Sequence, residues 1–360
     1  MQFRLVKKPE ITQRQYTVII LTAIALALLT SGLFILLLGL NPIQVYLAML
    51  NGAFGSTYRL EQTIIVAIPL VIISLGIAVA FKMKFWNIGA EGQVIMGAFF
   101  ASYLALNYQD APKPLLLLGM LAAGFLGGGL WGLIPAFFKA RWGTNETIVT
   151  LMMNYIALKW ITYLQYGPWK DPNSMGFPKI PNFTANAILP NFLGVHLGWV
   201  IALILVVIMY FFMNHSKKGF EIAVLGESLN TARYAGVNIF RTILFSMFIS
   251  GGICGLAGMI QASAVGNTLS VEVAGGVGYT AIITAWLGAL KAPWIVLVSV
   301  LFAALVQGSS YIQSAFGISA ASASLIQAMI LFFVLGSDFF TKYKVVFGSE
   351  FLTRGKEARE

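Results

Sequence analysis

The feature that most constrains this chain is a succession of apolar stretches, each close to the length a helix needs to cross a bilayer. A crossing takes roughly 20 predominantly apolar residues. Ten segments qualify or come near: 16–39, 61–80, 86–106, 114–138, 146–166, 195–213, 242–264, 278–290, 294–313 and 318–340. Charged residues are 10% of the chain and hydrophobic ones 58%, whereas a soluble domain carries about 25% charged residues. The expected fold class is an all-α polytopic membrane protein of about ten transmembrane helices. The eighth segment, 13 residues long, is too short for a plain rod. Gly275, Gly276 and Gly278 lie at its start, so 265–278 reads as a broken or re-entrant stretch. Such backbone is tolerated at membrane depth where protein or a cavity covers it. Segment 42–57, opening on Pro42 and carrying Gly52 and Gly55, reads as an outer interfacial helix. The first segment follows Arg4, Lys7, Lys8 and Arg14 like a signal peptide, but about 25 apolar residues with no small-residue cleavage site make it a retained span.

Charge placement gives these spans a direction. With a cytoplasmic N-terminus, the inner loops 1–15, 81–85, 139–145, 214–241, 291–293 and 341–360 hold 18 of the 23 Lys and Arg residues. The outer loops hold four (Arg59, Lys113, Lys170, Lys179), and Lys159 lies within a span, where it can snorkel outward. The positive-inside rule therefore puts both termini in the cytoplasm. The net charge of +10 is a topology signal and not a nucleic-acid patch. The expected organisation is a cytoplasmic segment 1–15, a transmembrane domain 16–340 and a basic cytoplasmic tail 341–360. The outer loop 167–194 contains five prolines and reads as a fixed, extended cap. The inner loop 214–241 is the one cytoplasmic loop large enough for a structured surface, with a short helix over 227–235 stopping at Gly236.

Several function classes are disfavoured. Cys254 is alone and His196 and His215 are the only histidines, so a zinc site is not indicated and no metal is expected. No P-loop pattern occurs, so the chain is not expected to hydrolyse ATP, and no catalytic residues or cofactor are assigned. A membrane enzyme would need an acid–base pair or nucleophile that the scattered acids do not offer. An ion-coupled transporter usually needs membrane carboxylates to hold its ion, and Glu91 alone is clearly available in a span.

Glu91 is accordingly the first candidate for a substrate path. It lies between Gly89 and Gly92, with Asn87 four residues earlier on the expected helix face. The competing role is a structural hydrogen bond that pins the glycine-rich turn. Thr147, Thr150, Leu151 and Asn154 form one side of the fifth span, suited to ribose and base edges or to ties between helices. Replacing Asn154 by Leu is expected to weaken passage more than assembly. Trp286 can stack on a planar base or simply pack. Gln307, Ser310, Gln313, Ser324 and Gln327 are further polar residues in the last two spans. Gly124, Gly128 and Gly132, and Gly251 and Gly255, have the four-residue spacing of closely packed helices.

Four blocks carry a resemblance. KKGFEIAVLGESLNTARYAGVN (217–238) followed by FSMFISGGICGLAG (245–258) resembles the coupling loop and next span of permeases in ATP-binding-cassette (ABC) sugar and nucleoside importers. WNIGAEGQVIMGA (86–98) and GTNETIVTLMMNY (143–155) resemble the third and fifth spans of the nucleoside branch, guanosine and purine nucleosides included, within the branched-chain/ribose-type superfamily. GVGYTAIITAWLGALKAPW (276–294) is similar to the eighth span and following turn, departing from the pattern at Thr284 and Trp286. The resemblance implies a multi-pass permease of a bacterial cell membrane that translocates nucleosides, or a sugar or other ring-bearing solute. It also implies a separate ABC ATPase subunit, a second and often homologous permease chain, an extracytoplasmic solute-binding lipoprotein, and no nucleic acid. Glu227, Asn230, Ala232, Arg233 and Gly236 then fall on the ATPase-coupling loop. Ala232, Ala235 and Gly236 are expected to allow close seating, and Glu227 and Arg233 to pair across the interface. Ala232→Glu is expected to abolish ATP-linked uptake while leaving the protein in the membrane.

Overall fold

The structure, a computed structural model, describes residues 3–7 and 12–347; most of the expected tail, 348–360, and positions 1–2 and 8–11 of the N-terminal segment lie outside them. Thirteen α-helices occur among the described residues. They are α1 (Gln13–Leu37), α2 (Pro42–Phe54), α3 (Thr57–Lys82), α4 (Ala90–Asn107), α5 (Lys113–Trp142), α6 (Glu146–Tyr166), α7 (Gly198–His215), α8 (Lys217–Glu227), α9 (Leu229–Tyr234), α10 (Ile239–Ile260), α11 (Val277–Leu287), α12 (Ala292–Phe316) and α13 (Ala320–Lys342). Eight of these (α1, α3, α5, α6, α7, α10, α12 and α13) are long and apolar enough to cross a membrane. The eighteen-residue α4 and the eleven-residue α11 occupy the other two expected positions, so each of the ten segments lies on a helix. Among the described residues, strand is confined to two short antiparallel ribbons, β1 (Phe3–Lys7) with β4 (Tyr343–Phe347) and β2 (Asn191–Phe192) with β3 (Val195–His196).

The chain forms two compact units. The smaller comprises Met1–Gly55 and Leu305–Glu360. Its core gathers Ile35, Val45, Met49, Ile312, Ala323 and Ile326. Asn41 caps α2 by accepting from the Ile43 and Gln44 amides, and Pro42 fits the first turn. At 13 residues α2 is about 20 Å long, short of the ~30 Å hydrocarbon core. Its Val45–Met49–Gly52–Ala53 side is buried, while Ile43, Leu47 and Leu50 are exposed.

The larger unit, Ser56–Ala304, is built around α3, α4, α5 and α10. Glycines set how close these helices come. A Cβ on Gly128 of α5 would lie 2.7 Å from the Gly255 Cα of α10, so the backbones touch where any side chain would separate them. Past Ile260, α10 loosens into a π-helical turn, Gln261–Gly266, and ends at Asn267 with a left-handed φ of 52°. That end anchors the proline-rich cap, residues 167–194. Ser263 donates to the Ala187 carbonyl at 2.6 Å and accepts from the Leu189 amide at 3.1 Å, and the Phe183 amide donates to the Asn267 carbonyl at 2.8 Å. Apart from a single 3-10 turn at Ala185–Ala187, the cap between α6 and β2 carries no helix.

Candidate functional site

The path residues expected from sequence fall around two interruptions of helix in the larger unit. The first precedes α4. Asn87 is not on a helix face with Glu91, because α4 begins only at Ala90 and residues 85–88 are irregular. The reason is local: Asn87 Oδ1 accepts from the Gly89 amide two positions on at 3.0 Å, an Asx-type contact that competes with helix. The Asn87 amide group donates to Gln93 Oε1 at 3.1 Å and to Ser250 Oγ at 3.3 Å. The second interruption is the stretch from Thr268 to Gly276, which ends with Gly275 and Gly276 in left-handed conformations, φ 55° and 82°.

Glu91 joins the two. Its Oε1 accepts from the Gly276 amide at 2.7 Å and its Oε2 from the Gly278 amide at 2.8 Å. The carboxyl group thus stands in the first turn of its own helix and over the N-terminus of α11. Both helix ends present unpaired amides and partial positive charge, the surroundings a carboxylate needs away from water. Gly278 makes this approach possible, since a Cβ there would lie 2.7 Å from the Glu91 Cα.

The α6 stripe completes the cluster. Asn145 caps α6 through the Thr147 and Ile148 amides, and Lys139 bridges the turn to Glu146 at 2.7 Å. One helical turn in, Thr150 Oγ1 accepts from the Ile88 amide at 3.3 Å. Asn154 Oδ1 accepts from the Gly92 amide at 2.8 Å, while its Nδ2 donates to the Ile88 carbonyl at 2.9 Å and to Tyr279 Oη at 3.2 Å. Thr150 and Asn154 are buried; Thr147 and Leu151, half-buried, stand outside the cluster. The fold therefore brings together Asn87, Glu91, Thr150 and Asn154 with Gln93, Ser250, Gly276, Gly278 and Tyr279. The glycines had marked a break in the sequence, but nothing in the sequence pattern pointed to Tyr279 or Gln93.

Trp286 lies apart from this polar cluster. Its ring stacks on Trp86 with centroids 5.6 Å apart and planes 30° apart, and both rings meet Phe81 edgewise or tilted. Trp86 and Trp286 keep 47% and 37% of their surface exposed. Trp86 had been legible only as the first letter of a motif. Thr284, the other departure in that segment, is buried and hydrogen-bonded to Ser74 of α3.

The loop 214–241 forms two short helices, α8 and α9, and not one over 227–235. Ser228 is extended (φ −157°, ψ 127°) and its Oγ accepts from the Thr231 amide at 3.2 Å, so it ends α8 and caps α9. Glu227 is consequently the last residue of α8. Gly236, at φ 72°, terminates α9 as expected. Ala232 is fully buried within the chain. The outward side of α9 instead carries Leu229, Asn230, Arg233 and Tyr234, with Tyr234 92% exposed. Glu221 holds α8 in place, accepting from Lys218 Nζ at 2.7 Å and facing Thr242 of α10 at 3.4 Å.

Residues 59–335 match the family described as branched-chain amino acid transport system / permease component. Among curated proteins the chain is similar to a guanosine ABC transporter permease protein of Bacillus subtilis, NupP, with 34% identity over 88% of this chain and 92% of that one. It is similar also to a glucose ABC transporter permease protein of Haloferax volcanii, TsgB13, with 32% identity over 94% and 91%. A nucleoside ABC transporter permease protein of Lactococcus lactis, NupB, is 29% identical over 87% and 89%. With a family match over most of its length, relatives above 30% identity and a bundle of membrane-length helices, the chain is a multi-pass membrane permease and belongs to the branched-chain amino acid transport system / permease component family.

Proposed function

We propose that this permease carries nucleosides across the cell membrane, driven by an ABC ATPase that seats against the exposed side of α8 and α9. Both termini and that surface face the cytoplasm, in keeping with the distribution of cations. A second permease chain completes the pore, and a solute-binding lipoprotein delivers the solute from outside. Of the pathway residues, Trp286 with Trp86 takes the planar base. Asn87, Glu91, Thr150 and Asn154 hold the broken helix starts, and Thr147 continues the same stripe of α6 toward the path.

The observation that carries the nucleoside reading is the stacked, half-exposed Trp86–Trp286 pair, an aromatic surface of the kind on which a planar base stacks. Base–aromatic stacking contributes about 1–3 kcal/mol per base. The similarity to the guanosine and nucleoside permeases agrees with it. The glucose permease relative supports a sugar as the second reading. Uptake of labelled guanosine by cells expressing the complete transporter, competed with a panel of nucleosides and with glucose, decides between them. Competition by nucleosides and not by glucose is expected; the reverse order would sink the proposal.

A further inference from the structure

A cavity of about 310 Å³ lies within the larger unit, where the ends of α3 and α7 meet the turn between α11 and α12. Lys82 from α3 and Lys291 from the turn both line it, and no acidic residue does. Among the described residues, neither ammonium group has a carboxylate within ion-pair distance; the ion pairs found there are Lys139–Glu146 and Lys218–Glu221. Two cations facing one small cavity repel each other, so the arrangement is incomplete without an anion.

The rest of the wall indicates which anion. Asn214, Tyr210 and Trp294 add polar and amphipathic groups beside the lysines. Leu75, Met209 and Ile295 add apolar groups to the same wall. Outside the cavity, α7 continues as an exposed apolar surface through Leu203, Ile204, Val207 and Ile208. Cations, aromatic amphipathic rings and adjoining hydrocarbon are together the chemistry that a phospholipid headgroup and its acyl chains meet at a membrane interface. The turn itself is held in an uncommon conformation, with consecutive non-glycine residues Ala289 and Leu290 at φ 50° and 57°. Such left-handed pairs persist where the surroundings demand them.

We propose that this cavity binds the headgroup phosphate of an anionic phospholipid from the cytoplasmic leaflet, with Lys82 and Lys291 as its ligands. The location rests on the cytoplasmic orientation proposed above, whereas the recognition chemistry does not. The site adjoins the coupling loop, because Gly226 of α8 packs directly on the Lys82 carbonyl and the Met83 Cα. A bound headgroup thus braces the segment on which α8 rests.

The test is native mass spectrometry of the purified full-length permease, offered phosphatidylglycerol or phosphatidylcholine with identical chains. Retention of phosphatidylglycerol is expected to exceed that of phosphatidylcholine about tenfold or more, from two lysines acting near a lipid phosphate. The preference should vanish in the Lys82→Gln/Lys291→Gln double variant and survive in Lys82→Arg/Lys291→Arg. Equal retention of the two lipids by the unaltered protein overturns the proposal, a result that needs no variant to fold. An unchanged preference in the glutamine variant overturns it as well. Displacement of the lipid by equimolar glycerol phosphate also overturns it, assigning the cavity to a free phosphate anion. Because the readout is lipid retention and not uptake, it stands or falls independently of the nucleoside reading.

Discussion

Glu91 holds Gly278 through its backbone amide at 2.8 Å, across 187 positions of sequence, and through Gly276 at 2.7 Å it holds the same helix start a second time. Two interrupted helices are thereby joined by one side chain. Hydrogen bonds to a charged group contribute about 1.5–3 kcal/mol each when buried. Glu91→Ala is expected to lower thermal stability markedly and to abolish uptake. Gly278→Ala should do much the same by driving α11 off the α4 backbone, at a cost of about 1–3 kcal/mol. Melting of the purified variants, alongside uptake, checks both; a Gly278→Ala protein as stable as the parent would contradict the close approach.

Asn154 is the other bracket of the break. Replacement by Leu was expected to affect passage more than assembly, but the geometry points the other way. Three hydrogen bonds disappear, leaving the buried Gly92 amide and the part-buried Ile88 carbonyl without their side-chain partner. Each group so stranded costs about 1–3 kcal/mol. Asn154→Leu is therefore expected to reduce folded yield and melting temperature at least as much as it reduces uptake per folded molecule. A well-folded, transport-dead variant would instead support a direct role in the path.

On the proposed coupling surface the informative substitutions are the exposed ones. Tyr234→Ala and Arg233→Ala, outward on α9, are expected to leave melting nearly unchanged, since exposed substitutions usually stay within about 0.5 kcal/mol. They should weaken recovery of the ATPase in a pull-down and slow ATP-linked uptake. Ala232→Glu places a carboxylate at a position with no exposure, so it is expected to disturb the α8–α9 packing itself. Normal ATPase recovery by Tyr234→Ala would remove α9 from the interface.

The aromatic pair makes a prediction about selectivity. Trp286→Ala and Trp86→Ala are each expected to raise the half-saturating nucleoside concentration about five- to 150-fold, the equivalent of roughly 1–3 kcal/mol of stacking. Trp286→Phe should restore part of it. Competition uptake measures this, and an equal loss for ring-bearing and non-aromatic solutes would assign the pair to packing.

His196, in β3 just before α7, gives a pH signature. Its Nδ1 accepts from the Gly198 amide at 3.3 Å, which requires the neutral ring, and burial pushes its pKa below the ordinary value of 6.5. The unfolded chain takes up this proton near 6.5 and the folded one does not until lower pH. The stabilisation is therefore complete above about pH 6.5 and falls as the pH drops toward the depressed folded value. Melting temperature measured from about pH 7.5 down to about pH 5 should decline less steeply in His196→Gln than in the parent. Parallel profiles would show that His196 does not contribute.

What the sequence alone determined is what each residue settles with its immediate neighbours. Whether a 20-residue segment prefers hydrocarbon is a sum over that segment, so the positions of the ten helices could be read directly, as could the glycine spacing of α5 and α10 and the stop at Gly236. The break near 265–278 was legible for the same reason, because glycines weaken a helix locally. Tertiary structure decided which groups meet across those breaks. Nothing near Glu91 in sequence names Gly278 as its partner, and the helical spacing that placed Asn87 on its face failed because Asn87 bonds its own backbone instead. Ser228 likewise divided a stretch that periodicity joined, and packing against α8 and α10 turned Ala232 inward. Hydropathy is additive along the chain, whereas hydrogen bonds and close packing depend on how separate helices are brought together, and that arrangement made a set of polar residues into a clamp around two helix ends.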